Sequence, residues 1–318
     1  MATRTVYESG LDRFNRPSKG VNVLLHLLFF FLAVICVVPM LVVLSISLSS
    51  EDSIRENGYH LIPTAFSGDA YGYIAQQGTM ILQALGISVF VTIVGTVLGI
   101  LLTTSMGYVL SRPNYKLKGF LTWVVFIPMV FNGGLVSSYY INANLLGLKD
   151  TVWSLILPLA VSSFNVIICK TFFKSTIPDG LIESAEIDGA GQLRIFFSII
   201  LPISLPVIAT IGLFLCFGYW NDWFQSMLYI NNQDLFSLQA LLNNLMSNVD
   251  ALARNASSLG ISYAELVATM PKESARMAVA IVIVLPVAFA YPFFQRYFIS
   301  GLTVGAVKGD RKSTRLNS

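Results

Sequence analysis

Charged side chains are scarce in this sequence: Asp, Glu, Lys and Arg make up 12% of its 318 residues, against about 25% in a typical soluble domain. With 55% hydrophobic residues and a mean hydropathy of +0.69, the chain is not a soluble enzyme. Histidine is almost missing, with only His26 and His60, and no His, Cys, Asp or Glu cluster has metal-ligand spacing. Cys36, Cys169 and Cys216 all lie in apolar stretches, where buried, inert thiols are the default and a disulfide framework is not. No G-x-x-x-x-G-K-[ST] sequence occurs, so a phosphate-cradling loop of that type is excluded. A nucleophile elbow, an internal repeat and a low-complexity tract are also missing. No charged residue lies deep in an apolar stretch. That counts against a proton- or sodium-coupled carrier, because such carriers use ionisable groups inside the membrane.

What the chain has instead is long uncharged runs. Six windows contain no Asp, Glu, Lys or Arg: 20–50, 70–111, 119–148, 151–169, 195–221 and 277–295. A helix crosses a ~30 Å hydrocarbon core with about 20 residues. The windows therefore predict an all-α integral membrane protein with six transmembrane helices, at roughly 22–48, 83–110, 120–141, 152–172, 203–228 and 277–299. The first apolar segment is too long for a signal-peptide core and has no clear A-x-A site, so it reads as a retained helix.

Lys and Arg concentrate in short cytoplasmic segments of membrane proteins. Here they cluster at Arg4, Arg13, Arg16 and Lys19, at Arg112, Lys116 and Lys118, at Lys170, Lys174 and Arg194, and at Arg296 and Lys308. The intervening loops carry only Arg55, Lys149 and, over a much longer stretch, Arg254, Lys272 and Arg276. Both termini and the segment 178–202 are thus expected in the cytoplasm. The expected organisation is a cytoplasmic tail over 1–20, a membrane domain over 21–309 with an external segment over 229–276, and a polar tail over 310–318 that looks foreign to the rest. Within the external segment, Leu238, Leu241, Leu242, Leu245 and Val249 have helical spacing, and Thr269, Pro271 and Glu273 read as a helix start. Gly95 and Gly99 form G-x-x-x-G, which allows close helix approach; packing within the chain is the preferred reading.

Residues 178–202 are unlike the rest. Asp179, Glu183, Glu186 and Asp188 crowd into the eleven residues from Pro178. Pro178 suits a first helical turn, Ser175 and Thr176 can cap it, and acids there suit the helix dipole. The helix should end near Ile187, where Asp188-Gly189 allows a sharp turn through positive φ. A second helix follows, with Leu193, Phe196, Phe197 and Ile200 on one apolar face, ended or kinked by Pro202. Gln192, on that second helix, is expected to be tolerant of substitution.

This helix–turn–helix resembles the EAA loop of permease subunits in bacterial ABC importers. The motif reads Glu183-Ser184-Ala185, then Asp188-Gly189-Ala190, then Ile199-Ile200-Leu201-Pro202. Ser184 stands where the family has Ala, a small-for-small exchange. The likeness extends over residues 10–309: Asn132-Gly133-Gly134 in the third span, Y-W-N-D-W-F from Tyr219 to Phe224, and Y-P-F-F-Q-R-Y-F-I-S-G from Tyr291. It is nearest to sugar-type permeases serving oligosaccharides released from polysaccharides, such as aldouronate and alginate fragments.

The resemblance implies a MetI-like fold with cytoplasmic coupling helices between helices 4 and 5, in the bacterial cytoplasmic membrane. It implies a heterodimer with a second permease, two copies of an ABC ATPase that carry ATP and Mg, and an external solute-binding protein. This chain would bind no cofactor or nucleic acid. Glu183, Ser184, Ala185, Asp188, Gly189, Ala190, Leu201 and Pro202 would couple it to the ATPase. Asn132, Asn165, Tyr219, Trp220, Asn221 and Trp223 are candidates for the substrate path, since amides bond hydroxyls and aromatic faces stack on sugars. An interfacial aromatic belt is the other reading of the Tyr and Trp residues. Two further classes stay open at this point: an ion-coupled secondary transporter, and a membrane enzyme or scaffold without transport activity.

Overall fold

The computed structural model describes residues 18–255 and 273–289. Among them the backbone is helical and irregular; the one β contact is an isolated bridge between Ser49 and Phe66. The chain divides into two units, Met1–Tyr73 with Ala268–Ile281, and Ile74–Val267 with Val282–Ser318.

In the first unit, helix α1 (Lys19–Ser47) is 29 residues long, or about 44 Å at 1.5 Å per residue. Ser18 caps it by accepting from the Val21 N–H at 3.4 Å. Its apolar side chains point outward all round and are exposed along most of its length, the pattern of a helix whose solvent is lipid. Ser50 caps α2 (Glu51–Asn57), which has Glu51 and Asp52 in its first turn, where acids complement the dipole. The loop after α2 is tied back by Ser45 Oγ donating to the His60 carbonyl at 2.8 Å and by the Ser53–Thr64 hydroxyl pair. Glu51 also accepts from the backbone N–H groups of Glu273 and Ser274, each at 3.2 Å. Those residues open the helical run 273–289, so a carboxylate from one end of the sequence caps a helix near the other. The proposed start signal at Thr269 and Pro271 and the last part of the sixth expected span lie outside the described residues.

Helix α3 (Asp69–Gln76) runs from the first unit into the second, whose longest described helix is α4 (Gly78–Ser111), 34 residues and about 51 Å long. Against α4 pack α8 (Ser163–Thr176) and α12 (Leu205–Trp220). Small residues make that approach possible. A Cβ on Gly95 would stand 2.4 Å from Tyr219 Cζ, on Gly99 2.8 Å from the Ala160 carbonyl oxygen, and on Gly107 2.5 Å from Cys169 Cβ. The G-x-x-x-G pair therefore serves packing within the chain, as expected. Helix α5 (Lys118–Val130) adds Val125 to a cluster with Leu110 of α4 and Val166 of α8.

Several expected spans are interrupted. The third stops at Phe131, resumes as α6 (Gly134–Tyr139), and widens into a π turn over Tyr140–Leu145. The fourth consists of α7 (Trp153–Ile156) with a 3-10 turn to Leu159, then α8, with a 50° bend between them. By length and apolarity, α1 and α4 can each cross a membrane, and the described residues offer up to four spans if each bent pair counts as one. After the elbow helices α9 (Asp179–Ile187), α10 (Gln192–Ile195) and α11 (Leu201–Ile203), α12 ends at Trp220 and a short α13 (Phe224–Tyr229) follows, so the fifth span stops before the expected residue 228. The amphipathic α14 (Leu238–Asn255) forms as the leucine spacing predicts, with Leu238, Leu241 and Leu242 buried.

Asp150 holds the loop before α7 to the segment after α13. It takes a positive φ of 55° and accepts from the backbone N–H groups of Asn231 and Asn232, the latter at 3.1 Å. Those N–H groups hold its carboxyl below the usual carboxylate range.

Candidate coupling elbow and polar cavity

The elbow begins at Pro178, which is the N-cap of α9 with φ −64° and ψ 140°, not a residue of its first turn. Ile177 before it is extended, with φ −103° and ψ 110°, as a following proline requires. No side chain caps α9; Ser175 Oγ donates backward to the Phe172 carbonyl at 3.1 Å, so the expected capping by Ser175 or Thr176 does not occur.

The far end of α9 is closed by hydrogen bonds that explain the motif's spacing. Gly189 has φ +80°. Its N–H donates to Glu186 O at 3.0 Å, and Ala190 N–H reaches back to Ala185 O at 2.9 Å. This is a Schellman closure, with Gly in the left-handed position and an apolar contact between the residues flanking it. Ala185 and Ala190 share the hydrophobic core. The E-S-A, then D-G-A pattern is thus the sequence of a helix terminus: a small residue as acceptor, Gly at the turn, a small residue as the last donor. Ile182 and Ala185 face inward, while Glu183, Ser184, Asp188 and Gly189 are exposed. Ile187 and Leu193 project from the corner, 86% and 75% exposed.

The second elbow helix departs from its expected face. Ile195, Phe196 and Ile200 are buried, but Leu193 and Phe197 are exposed. A π turn over Phe196–Ile200 widens the helix and takes the side chains from there on off 3.6-residue periodicity, whereas Leu193 precedes it and projects at the corner. Helical geometry continues through Leu201 and Pro202 to Ile203, and the 84° bend to α12 falls at Ser204.

The elbow is braced from α4. Arg112, just after α4, places Nη1 3.0 Å from Asp179 Oδ1 and its guanidinium 5.3 Å from the centre of the Tyr108 ring. The Tyr108 hydroxyl donates to Gln192 Oε1 at 3.2 Å, and Gln192 Nε2 donates to Glu186 Oε1 at 2.6 Å. Gln192 is therefore a link between α4 and both arms of the elbow rather than a neutral position. Arg112, Tyr115, Asp179, Glu183, Glu186 and Gln192 line a cleft of about 360 Å³.

A second cavity, of about 400 Å³, lies between the broken third span and α13. Asn132, Ser138, Asn142, Gln225 and Tyr229 supply its polar wall. Asn132 Oδ1 accepts from Gly134 N–H at 2.9 Å and so stabilises the chain break, where Gly134 takes φ +82°. Asn142 Nδ2 donates to Ser138 O at 2.9 Å and to the Tyr229 hydroxyl at 3.1 Å. Tyr229 stacks on Tyr139 with ring centres 5.7 Å apart. Gln225 Oε1 is buried and has no hydrogen-bond partner among the described residues.

Of the six path candidates, only Asn132 lines this cavity. Asn165 is buried on α8. Tyr219 and Trp220 do not face open space: Tyr219 donates to Ile156 O at 2.7 Å, and Trp220 Nε1 to Ile283 O at 3.2 Å. The room left by Gly95 draws the tyrosine ring inward. Asn221 is exposed, with Nδ2 donating to Phe217 O at 3.0 Å, and Trp223 is exposed edge-on to Phe224. Sequence reasoning missed Ser138, Asn142, Gln225 and Tyr229. Their signal is positional, polar side chains four apart on one helical face (138 and 142; 225 and 229).

Helices long and apolar enough to cross a membrane, together with a braced, acidic, outward-projecting elbow, mark a membrane-embedded transport component. Residues 95–304 match the family described as binding-protein-dependent transport system inner membrane component, and this chain belongs to that family. It is 38% identical over 288 residues to the polygalacturonan/rhamnogalacturonan transport system permease protein YtcP of Bacillus subtilis, covering 91% of this chain and 98% of the relative. It is 30% identical to the galactooligosaccharides transport system permease protein GanQ of the same organism, covering 89% and 94%. A crystal structure of a bacterial ABC transporter involved in import of the acidic polysaccharide alginate includes a chain that superimposes with a TM-score of 0.73 at 24% identity, covering 92% of this chain and all of that one. The MetI-like permease fold expected from the elbow is thus the fold of this chain.

Proposed function

We propose that this chain is one permease half of an ATP-binding-cassette importer for carbohydrate, most simply an oligosaccharide. The observation that carries the reading is the elbow. It is a rigid, Schellman-closed corner that projects Glu183, Ile187 and Leu193 outward, on a chain with no phosphate-binding loop of its own. Exposed apolar side chains beside a carboxylate suit insertion into a partner's cleft, where a charge-assisted bond to an Arg would form. The naming of its relatives as permeases for polygalacturonan and galactooligosaccharides supports a sugar cargo.

In this reading six spans cross the cytoplasmic membrane with both termini inside, and a second permease completes a heterodimer. Two ATPase subunits hold ATP and Mg and grip the elbows, while an external binding protein delivers sugar near 229–276. Closure of the ATPases draws the elbows together. The Arg112–Asp179 and Tyr108–Gln192–Glu186 links pass that motion to α4. Family membership sets aside the ion-coupled carrier and the scaffold.

The test is reconstitution. Proteoliposomes holding both permeases and the ATPase, supplied with binding protein, should take up an oligosaccharide only with ATP. This chain alone should neither hydrolyse ATP nor move sugar. Hydrolysis by the isolated chain, with contaminating ATPases excluded, would refute the reading.

A further inference from the structure

We propose that the cavity between the broken third span and α13 is a binding site for an uncharged, hydroxyl-rich sugar unit, with Gln225 as its anchoring side chain. The proposal rests on the carbohydrate reading above and adds where this chain touches the cargo and which part of it. The cavity's volume of about 400 Å³ falls within the range of small-ligand sites, about 300 to 1,000 Å³.

Its chemistry is specific. Amides from Asn132, Asn142 and Gln225 and hydroxyls from Ser138 and Tyr229 line it, with the Phe224 ring beside them, and no Asp, Glu, Lys or Arg lies among its lining residues. An amide offers both donors and an acceptor, and a hydroxyl offers one of each. That set matches sugar hydroxyls, which also donate and accept. It does not match a carboxylate, which would enter a partly buried site with no cation to balance it.

Gln225 stands out from the other groups. The Asn132 and Asn142 amides hold backbone and side-chain partners within the chain. Gln225 Oε1 is buried with no partner among the described residues, and buried acceptors are ordinarily satisfied. Its backbone is fixed independently, because the Asp222 carboxylate, two residues before α13, accepts the Gln225 N–H at 3.2 Å. The main chain thus fixes where the Gln225 side chain leaves α13, at the cavity's edge, and its buried acceptor has no donor among the described residues. A sugar hydroxyl supplies one. The chain break at Asn132–Gly134 in the third span opens the space: such breaks persist at membrane depth where they border protein or a wet cavity.

The experiment uses the complete importer in proteoliposomes with its binding protein. Three probes are offered: a neutral galactooligosaccharide, a rhamnogalacturonan fragment and an oligogalacturonide. On a Cys36→Ser background, Ser138→Cys is alkylated with a maleimide in the presence and absence of each probe. The expected result is that a transported sugar bearing neutral units slows alkylation at least threefold. Gln225→Leu is expected to raise KM for its uptake at least tenfold, with Gln225→Glu admitting the neutral probe and rejecting the oligogalacturonide. Gel filtration of the assembled complex checks that each variant folds.

Unchanged alkylation, a thiol that does not react in the complex because a partner covers it, or wild-type KM in Gln225→Leu would each overturn the assignment. If only the oligogalacturonide is carried, the uncharged-ligand assignment falls and the carbohydrate reading stands. If the wild-type importer carries none of the three, both fall.

Discussion

Gly95→Ala is the most direct test of how α4 and α12 are joined. The added Cβ would stand 2.4 Å from Tyr219 Cζ and 2.6 and 2.7 Å from its Cε atoms. Carbon atoms in good contact stand about 3.5 Å apart or more, so the ring must withdraw by about 1.1 Å or the helices must part by a similar distance. Withdrawal carries the hydroxyl away from Ile156 O, now 2.7 Å off, and past hydrogen-bonding range. Overpacking of this kind costs roughly 1–3 kcal/mol. Leaving the buried hydroxyl and carbonyl unpaired adds about 1–3 kcal/mol. The sum, about 2–6 kcal/mol, should appear as a large drop in the thermal midpoint of the detergent-solubilised complex. Tyr219→Phe removes only the hydrogen bond and should cost roughly 1 kcal/mol. The decisive comparison is the double variant. Tyr219→Leu empties the space that the added methyl needs, so on the Gly95→Ala background it should cost far less than on wild type, with a coupling of about 0.5–3 kcal/mol between the sites. If Gly95→Ala is as stable as wild type, or if the two changes are additive, the ring does not sit against Gly95 and the packing argument fails.

Other outcomes follow from the elbow and the orientation. A Cβ on Gly189 meets no neighbouring atom within 4 Å, but Gly189→Val must adopt φ near +80°, at a cost of roughly 1–2 kcal/mol; with Glu183→Lys, it should insert and assemble with the second permease yet lose sugar-stimulated hydrolysis, and normal uptake by both variants would remove the elbow from coupling. Gln192→Ala should also lower sugar-stimulated hydrolysis, because it cuts the path from Tyr108 to Glu186; wild-type stimulation would show that the brace carries nothing. A cysteine at Asp179 should react only with reagents that reach the cytoplasm, and one at Gln233 only from outside; the reverse labelling would invert the topology.

The uncharged windows, the membrane environment and the elbow were legible in the sequence because each depends on composition or on neighbours a few residues apart. The Schellman closure joins residues five apart, so Ala185, Gly189 and Ala190 carry it wherever the helix sits. Local readings failed where the backbone changed its period or its cap. The expected apolar face was broken at Phe197 within a π turn, and Ser175 turned back to its own helix instead of capping the next.

Tertiary structure alone decided the rest. Arg112 meets Asp179 across 67 residues of sequence, and Gln225 shares a cavity with Asn132, which lies on a different span. Nor could periodicity say which way Tyr219 points. In a span apolar on every side no face is marked as inward by polarity, and the side that packs is chosen by where small residues leave room. Gly95 makes that choice for Tyr219 from another helix. Apolar surface has no directional preference when the surroundings are lipid, so the inward face of each span is set by steric fit between segments distant in the chain.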